Sequence, residues 1–347
     1  MRNDGGQKKK GGIKKIILIV IAVIVVIGVV GAIGGGSKKS DSKKVGTVGN
    51  ASDASSTVSE SNQSGENASA ATASASSAVE IKDEYHVGDI LQDGDVKIVY
   101  IASGEYKEDN QFMQPKDGNK FVFLQFAFEN TGTKDQSISS FGFEAYADGY
   151  NVEQHYGNED QIDASLSGGR SCSGRVVFEV PAEAKEIEIE YKSNIFLDDK
   201  IKFIYDGEKS SGYVVENNAE ASADAYKPGD VIETKDLKIS YLSCNLDYNS
   251  GNQFITPKEG NKFIQCELEF ENIGDSDTTV SVFSFKCYAD GAACDASYTD
   301  SDISATISAG RKASGTVTFE VPIDAKVIEI EYETNVWTSE RIVLSVE

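Results

Sequence analysis

Histidine is almost missing from this chain: only His86 and His155 occur in 347 residues. Ser–His or Cys–His chemistry needs an imidazole within hydrogen-bond reach of the nucleophile. Everything after His155 therefore lacks that base, and His155 itself falls in what reads as a loop and is expected to be an exposed polar residue. Also absent are a His-Glu-x-x-His helix, a Cys-x-x-Cys pair, a phosphate-cradling P-loop and a Gly-x-Gly-x-x-Gly turn, which removes the commonest metal, redox and nucleotide signatures. Positive charge is scarce outside one end. Residues 45–347 carry 23 basic and 54 acidic side chains, a net of −31. Such a body repels phosphate backbones, whose capture depends on Lys and Arg, so no nucleic-acid partner is expected. No amphipathic helix longer than two turns is legible either. The expectation is a non-enzyme with no catalytic residue, no cofactor and no metal.

The basic residues that do occur gather at the start. Residues 1–44 hold ten Lys or Arg and two acids. A basic tip, 1–15, precedes an unbroken apolar run from Ile16 to Ile33, and Gly34, Gly35, Gly36 and Ser37 extend the uncharged stretch to 22 residues. About 20 apolar residues in a helix cross the hydrocarbon core of a bilayer, and in lipid only a helix satisfies its own backbone despite the many β-branched Ile and Val. Residues 16–36 thus read as an N-terminal transmembrane helix, and the membrane is the first expected partner. A cleaved signal peptide, with Ala32-Ile33-Gly34 as the cleavage site, is the alternative. The basic tip favours a cytoplasmic N-terminus and places the remainder outside the cell. Residues 37–79, a Ser/Ala-rich stretch without an aromatic residue, read as a disordered stalk.

The rest of the chain repeats. Asn110-Gln111-Phe112 matches Asn252-Gln253-Phe254; the run Pro115–Phe121 matches Pro257–Phe263; Tyr146-Ala147-Asp148-Gly149 matches Tyr288-Ala289-Asp290-Gly291; Phe178–Pro181 matches Phe319–Pro322. The offset is 141 or 142 residues, so two domains are expected, at 80–205 and 229–347, joined by a polar linker at 206–228. Within each copy the apolar period is two. Val122, Leu124, Phe126 and Phe128 alternate with more polar neighbours, as do Ile187, Ile189 and Tyr191, and the second copy repeats this with Ile264, Cys266, Leu268 and Phe270 and with Ile328, Ile330 and Tyr332. Such alternation means antiparallel strands with one buried face. The fold class is all-β, with two tandem immunoglobulin-like antiparallel sandwiches as the expected architecture and a small barrel as the alternative.

The run Pro115–Phe121, then Phe128-Glu129-Asn130-Thr131-Gly132, Phe141-Gly142-Phe143, Asp148-Gly149, Gly169-Arg170, Gly174 and Phe178-Glu179-Val180-Pro181, resembles a family of domains of unknown function. That family occurs in Gram-positive lipoproteins and membrane-anchored proteins and is similar in fold to the mycobacterial immunoprotective extracellular antigen, an immunoglobulin-like sandwich. The resemblance covers both copies. It implies a fold and a location, and it brings no catalytic residues. This chain departs from the lipoproteins in offering an apolar span where they carry a lipidated cysteine.

A few residues stand outside the shared framework. Glu159, Asp160 and Asp163, and Asp300 and Asp302, form acidic loop clusters that could ligate calcium or be ordinary acidic surface. Four of the five cysteines lie in the second copy. If Asp290-Gly291 is a two-residue hairpin turn, Cys287 faces Cys294, and these two form a candidate disulfide; Cys244 and Cys266 are a second candidate pair. Alternatively Cys266 and Cys287 are small core residues. Asn110 and Phe112, with Asn252 and Phe254, mark matching loops. Each Phe either caps an open end of its sandwich or belongs to a binding loop on a rigid scaffold. The functional expectation is a membrane-anchored, extracellular binding protein whose partner is a surface protein or a cell-wall polymer. An accessory subunit of a membrane complex and a hydrolytic enzyme are the alternatives.

Overall fold

The computed structural model describes residues 43–47, 84–158, 160–193, 200–215, 221–335 and 340–346. The expected span, 16–36, and most of the expected stalk, 37–79, lie outside the described residues. Among those described, no helix is long and apolar enough to cross a membrane.

In the first copy the strands are β1 (Lys43–Thr47), β2 (Asp89–Asp93), β3 (Val96–Tyr106), β4 (Asn119–Asn130), β5 (Gln136–Ser139), β6 (Phe143–Ala147), β7 (Tyr150–His155), β8 (Asp163–Leu166), β9 (Ser171–Pro181), β10 (Ile187–Tyr191), β11 (Ile201–Ile204) and β12 (Lys209–Ser210). The second copy has β13 (Val231–Glu233), β14 (Leu237–Tyr248), β15 (Asn261–Asn272), β16 (Thr278–Ser281), β17 (Phe285–Ala289), β18 (Ala292–Ala296), β19 (Ser304–Ile307), β20 (Lys312–Pro322), β21 (Ile328–Asn335) and β22 (Glu340–Ser345).

Two antiparallel sheets face each other in each copy. In the first, β2-β3-β4-β9 forms one sheet and β11-β10-β6 the other. β7 pairs with β6 at one end and with β9 at the other, closing one side. The second copy repeats this with β13-β14-β15-β20, β22-β21-β17 and β18 in the bridging role. The period-two expectation holds: Val122, Leu124, Phe126 and Phe128 are all buried. Phe126 meets Phe143 and Phe203 of the facing sheet, with ring centroids 5.4 and 4.7 Å apart. The core is thus a layer between two sheets, which decides for a sandwich over a closed barrel.

Hairpin chemistry sets the register. Asp148 and Gly149 have φ of 49° and 81°, and Asp290 and Gly291 have 49° and 89°. Two consecutive positive φ values are what a type I′ turn requires, and the Asp carboxylate fixes the turn by accepting from the backbone N–H groups of Lys185 and Glu186, or of Lys326 and Val327.

Three sequence expectations change. Lys43–Thr47, inside the expected stalk, pairs antiparallel with β2. The expected linker is docked where it is described. Lys209 and Ser210 pair with Ser103 and Ala102, Tyr213 and Val215 pack against the small cluster of Val99, Ile101, Ala102 and Ala127, and Tyr226 exchanges backbone hydrogen bonds with Val343 and Ser345. Its polar composition concealed two apolar contacts and an edge strand. His155 ends β7 instead of lying in an open loop. Its side chain is 8% exposed, its Nε2 sits 2.8 Å from Glu108 Oε2 and its ring lies tilted against Phe121 with centroids 4.4 Å apart. Those two partners explain how a polar residue is buried there.

The described residues form one compact unit, and specific contacts join the two sandwiches within it. Tyr288 of β17 is 1% exposed and belongs to the core cluster of the first sandwich. Its hydroxyl donates to the Ser165 carbonyl at 3.0 Å and accepts from the Ser167 N–H at 3.1 Å. Arg170, in the turn before β9, reaches Glu329 at 2.6 Å and Glu331 at 2.9 Å. Lys286 binds Asp135 at 2.5 Å, and the Ser171 N–H donates to the Gly291 carbonyl. One end of the first sandwich is therefore seated on a sheet face of the second.

Candidate functional site

Most residues shared by the copies serve the fold. Asn130 is fully buried; its amide donates to the carbonyls of Lys134 and Leu166 and its oxygen accepts from the Gly132 N–H. Asn272 makes the same three bonds, to Ser276, Ile307 and Gly274. Glu179 accepts from the Lys116 N–H and the Asn119 amide, and Glu320 does the same for Lys258 and Asn261. The repeated Pro-Lys-x-Gly-Asn-Lys run is thus a loop anchor.

The acidic clusters are likewise occupied by protein donors. Asp163 accepts from the Ser140 N–H and from the hydroxyls of Ser139 and Ser140. Asp160 pairs with Arg175, and Asp302 accepts from the Thr316 N–H and hydroxyl. Glu159 lies outside the described residues. No group of three His, Cys, Asp or Glu among the described residues is placed to hold a metal ion.

What remains is aromatic and exposed. Phe112 and Phe254 are 86% and 84% exposed, so neither caps its sandwich. Both sit on the same Asx turn, in which the Asn110 or Asn252 side-chain oxygen accepts from the Phe N–H at 3.0 Å. That bond is a local device for holding a loop without a core.

A second repeated feature was not found from sequence. A one-turn 3-10 helix at Ser140–Gly142 presents Phe141, and its ring contacts Tyr156 at 5.4 Å. Val282–Ser284 presents Phe283 against Tyr298 at 5.2 Å. All four rings are exposed. In the first copy the aromatic pair adjoins the loop, since a Cβ built on Gly157 would lie 3.6 Å from Met113 Cε. The signal available in the sequence was Phe-x-Phe with only one of its two rings on the core side: Phe143 is buried while Phe141 is not.

The second copy adds a cleft of about 670 Å³ beside its loop, lined by Asp247, Tyr248, Asn252, Gln253, Lys262 and Phe263 among others. The first copy is filled at the matching place. Tyr106 and Phe121 correspond to Tyr248 and Phe263 by strand register, and His155 and Glu108 pack there, where the second copy has Ser297 and Ser250.

A family model described as Domain of unknown function (DUF4352) matches residues 85–201 and 226–342, as the sequence resemblance implied. No curated protein matches. Among solved structures, the chain is similar to a candidate lipoprotein (ycdA) of Bacillus subtilis, at 15% identity over 31% of this chain and 35% of that one, TM-score 0.26. It thus spans about a third of that protein. It is also similar to the yjhA protein of Bacillus subtilis, at 15% identity over 35% and 99% of the two chains, TM-score 0.28. A third is an uncharacterized β-sandwich protein of Clostridium difficile, at 9% identity over 37% and 99%, TM-score 0.26.

Proposed function

The chain belongs to the DUF4352 family of domains of unknown function in two copies, and from that premise we propose a non-catalytic, surface-displayed binding protein whose ligand is a cell-wall polymer. The observation that carries this reading is the repeated set of exposed rings: Phe112, Phe141 and Tyr156 in the first copy, and Phe254, Phe283 and Tyr298 in the second. Exposed aromatic residues retained on a rigid frame mark an interaction surface. Ring faces suit the apolar faces of sugar rings. The amides of Asn252 and Gln253 and the charges of Asp247 and Lys262, which line the adjoining cleft, suit hydroxyl groups.

The apolar run Ile16–Ile33 supplies the tether in this reading, with the immunoglobulin-like domains outside the cell. Two sites on one docked pair raise effective concentration on a repetitive polymer, because the second engagement is intramolecular. In the first copy the binding loop joins Tyr106 to Asn119, at the end of the sandwich away from the Arg170 turn. Its docking onto the second sandwich thus leaves the loop clear.

The test is retention of the full chain, in detergent, on isolated cell-wall fractions. The wild-type chain is expected to be retained. The variants Phe112→Ala/Phe254→Ala and Phe141→Ala/Phe283→Ala should be retained at least tenfold less. Retention of both variants equal to that of wild type, or no retention of wild type, overturns the reading.

A further inference from the structure

We propose that the second sandwich carries two disulfides, Cys244–Cys266 and Cys287–Cys294, one in the hairpin that docks on the first sandwich and one in the hairpin that bounds the cleft. In strand register Cys244 lies directly opposite Cys266 on β14 and β15, and Cys287 directly opposite Cys294 on β17 and β18. Directly opposed residues of an antiparallel pair have Cα separations of about 4.5–5.5 Å, inside the disulfide range of about 4.4–6.8 Å. Burial first, and then the neighbouring thiol of its pair, raise both Cys266 and Cys287 well above the ordinary thiol range.

The internal duplication supplies the second argument. The matching positions in the first copy are Ser103 opposite Leu124 and Ala145 opposite Val152. No member of either pair is a cysteine there, whereas both members of both pairs are cysteines in the second copy. Cysteine used merely as small core filler has no reason to arrive in opposed twos. Nor do the described residues place three such ligands around a metal-sized point.

The locations give the crosslinks a purpose. β17 and β18 form the hairpin that inserts Tyr288 into the first sandwich and offers the Gly291 carbonyl to Ser171. β14 and β15 lead directly into the loop that bounds the cleft. One staple stiffens the joint between the domains, and the other stiffens the mouth of the cleft.

The chemistry is thiol–disulfide exchange with the disulfide of an oxidoreductase or of oxidised glutathione. In each pair one thiol is half-buried, Cys244 or Cys294, and its partner is buried. The accessible thiolate attacks the oxidant's disulfide, expelling one thiolate and forming a mixed disulfide. The buried partner, losing its proton, attacks the bonded protein sulfur and expels the second thiolate. Per staple the protein loses two protons and two electrons, and one disulfide of the oxidant becomes two thiols. The hydrogen bond from Cys266 holds Cys244 below the ordinary thiol range, which favours the first step. Cys172, pushed up to about 12 by burial and with no cysteine opposite it, stays reduced.

The full chain is equilibrated with oxidised glutathione, quenched in acid, then unfolded and alkylated without reductant. Mass spectrometry should find one alkylated cysteine, Cys172, a chain four hydrogens lighter than the fully reduced form, and peptides linking 244 to 266 and 287 to 294. The variant Cys294→Ser should leave Cys287 alkylated and the 244–266 link intact. Five alkylated thiols, links between the two pairs, or persistent glutathione adducts each overturn the proposal.

Discussion

The guanidinium of Arg170 lies over the ring of Tyr288, 4.6 Å from its centroid, so a cation of the first sandwich covers an aromatic residue of the second. The same guanidinium is bonded to Glu329 and Glu331, whose side chains are almost fully buried. Removing one partner of a buried ion pair costs about 3–5 kcal/mol, because the charge left behind has lost both water and its counterion. Arg170→Ala is therefore expected to weaken docking by that order. Arg311, its counterpart in the second copy, is exposed, and Arg311→Ala should change stability by less than about 0.5 kcal/mol. Urea unfolding checks both: Arg170→Ala should split one transition into two, and Arg311→Ala should not.

Tyr288 and Tyr146 occupy the same place in the two copies but not the same surroundings. The Tyr288 hydroxyl makes three contacts in the first sandwich, with the Ser165 carbonyl and with the N–H and hydroxyl of Ser167. Tyr146 is half-buried on an open sheet face, its hydroxyl 3.4 Å from Glu144. Tyr288→Phe leaves buried groups without partners and should cost about 1–3 kcal/mol. Tyr146→Phe should fall within about 0.5 kcal/mol of wild type. Comparing the two in one denaturant series separates the docked face from its free twin. Equal effects would contradict the interface.

Asn130 and Asn272 offer a test of the framework itself. Each is buried with three hydrogen bonds to backbone groups that have few alternatives. Asn130→Ala and Asn272→Ala should each destabilise the protein by about 2–4 kcal/mol, measured by thermal melting. Asn130→Asp should do no better, since it replaces a donor facing two carbonyls with an oxygen.

How far the sequence revealed all this depends on the range of the interaction. Period-two runs such as Val122–Phe128 placed the strands and their buried faces, because side-chain alternation is a local property. The Asp290-Gly291 turn placed Cys287 opposite Cys294, because a two-residue hairpin sets its own register, and that register is observed. The docking of the two sandwiches was not legible. Glu329 and Glu331 alternate with Ile328 and Ile330 like any wet strand face, and Glu188 and Glu190, their twins, are indeed half-exposed, paired with Lys202 and Lys200. What buries the second pair is Arg170, some 160 residues away in the chain, and no local pattern encodes that. His155 misled for the same reason. Its partners are Phe121 on β4 and Glu108 in the loop before that strand, both more than 30 residues away, so its sequence neighbours gave no hint of burial.

Acid should open the joint before it unfolds the sandwiches. Burial works to raise the Glu329 carboxyl, but its hydrogen bonds with Arg170 and with the Ser222 N–H outweigh that and hold it below the usual glutamate range. A carboxylate depressed in the folded state contributes its full stabilisation above the unfolded-state value, and loses it as pH falls through the folded one. Arg170 does not titrate in that window, because the two glutamates outweigh the desolvation of its guanidinium and keep it charged. Small-angle X-ray scattering from pH 7 downward should thus show the maximum dimension growing below the ordinary glutamate range while circular dichroism still reports β-structure. Glu329→Gln should remove most of that pH dependence, because its amide has no proton to gain there. If the dimension and the β-signal change together in the wild-type protein, the joint is no weaker in acid than the sandwiches it connects.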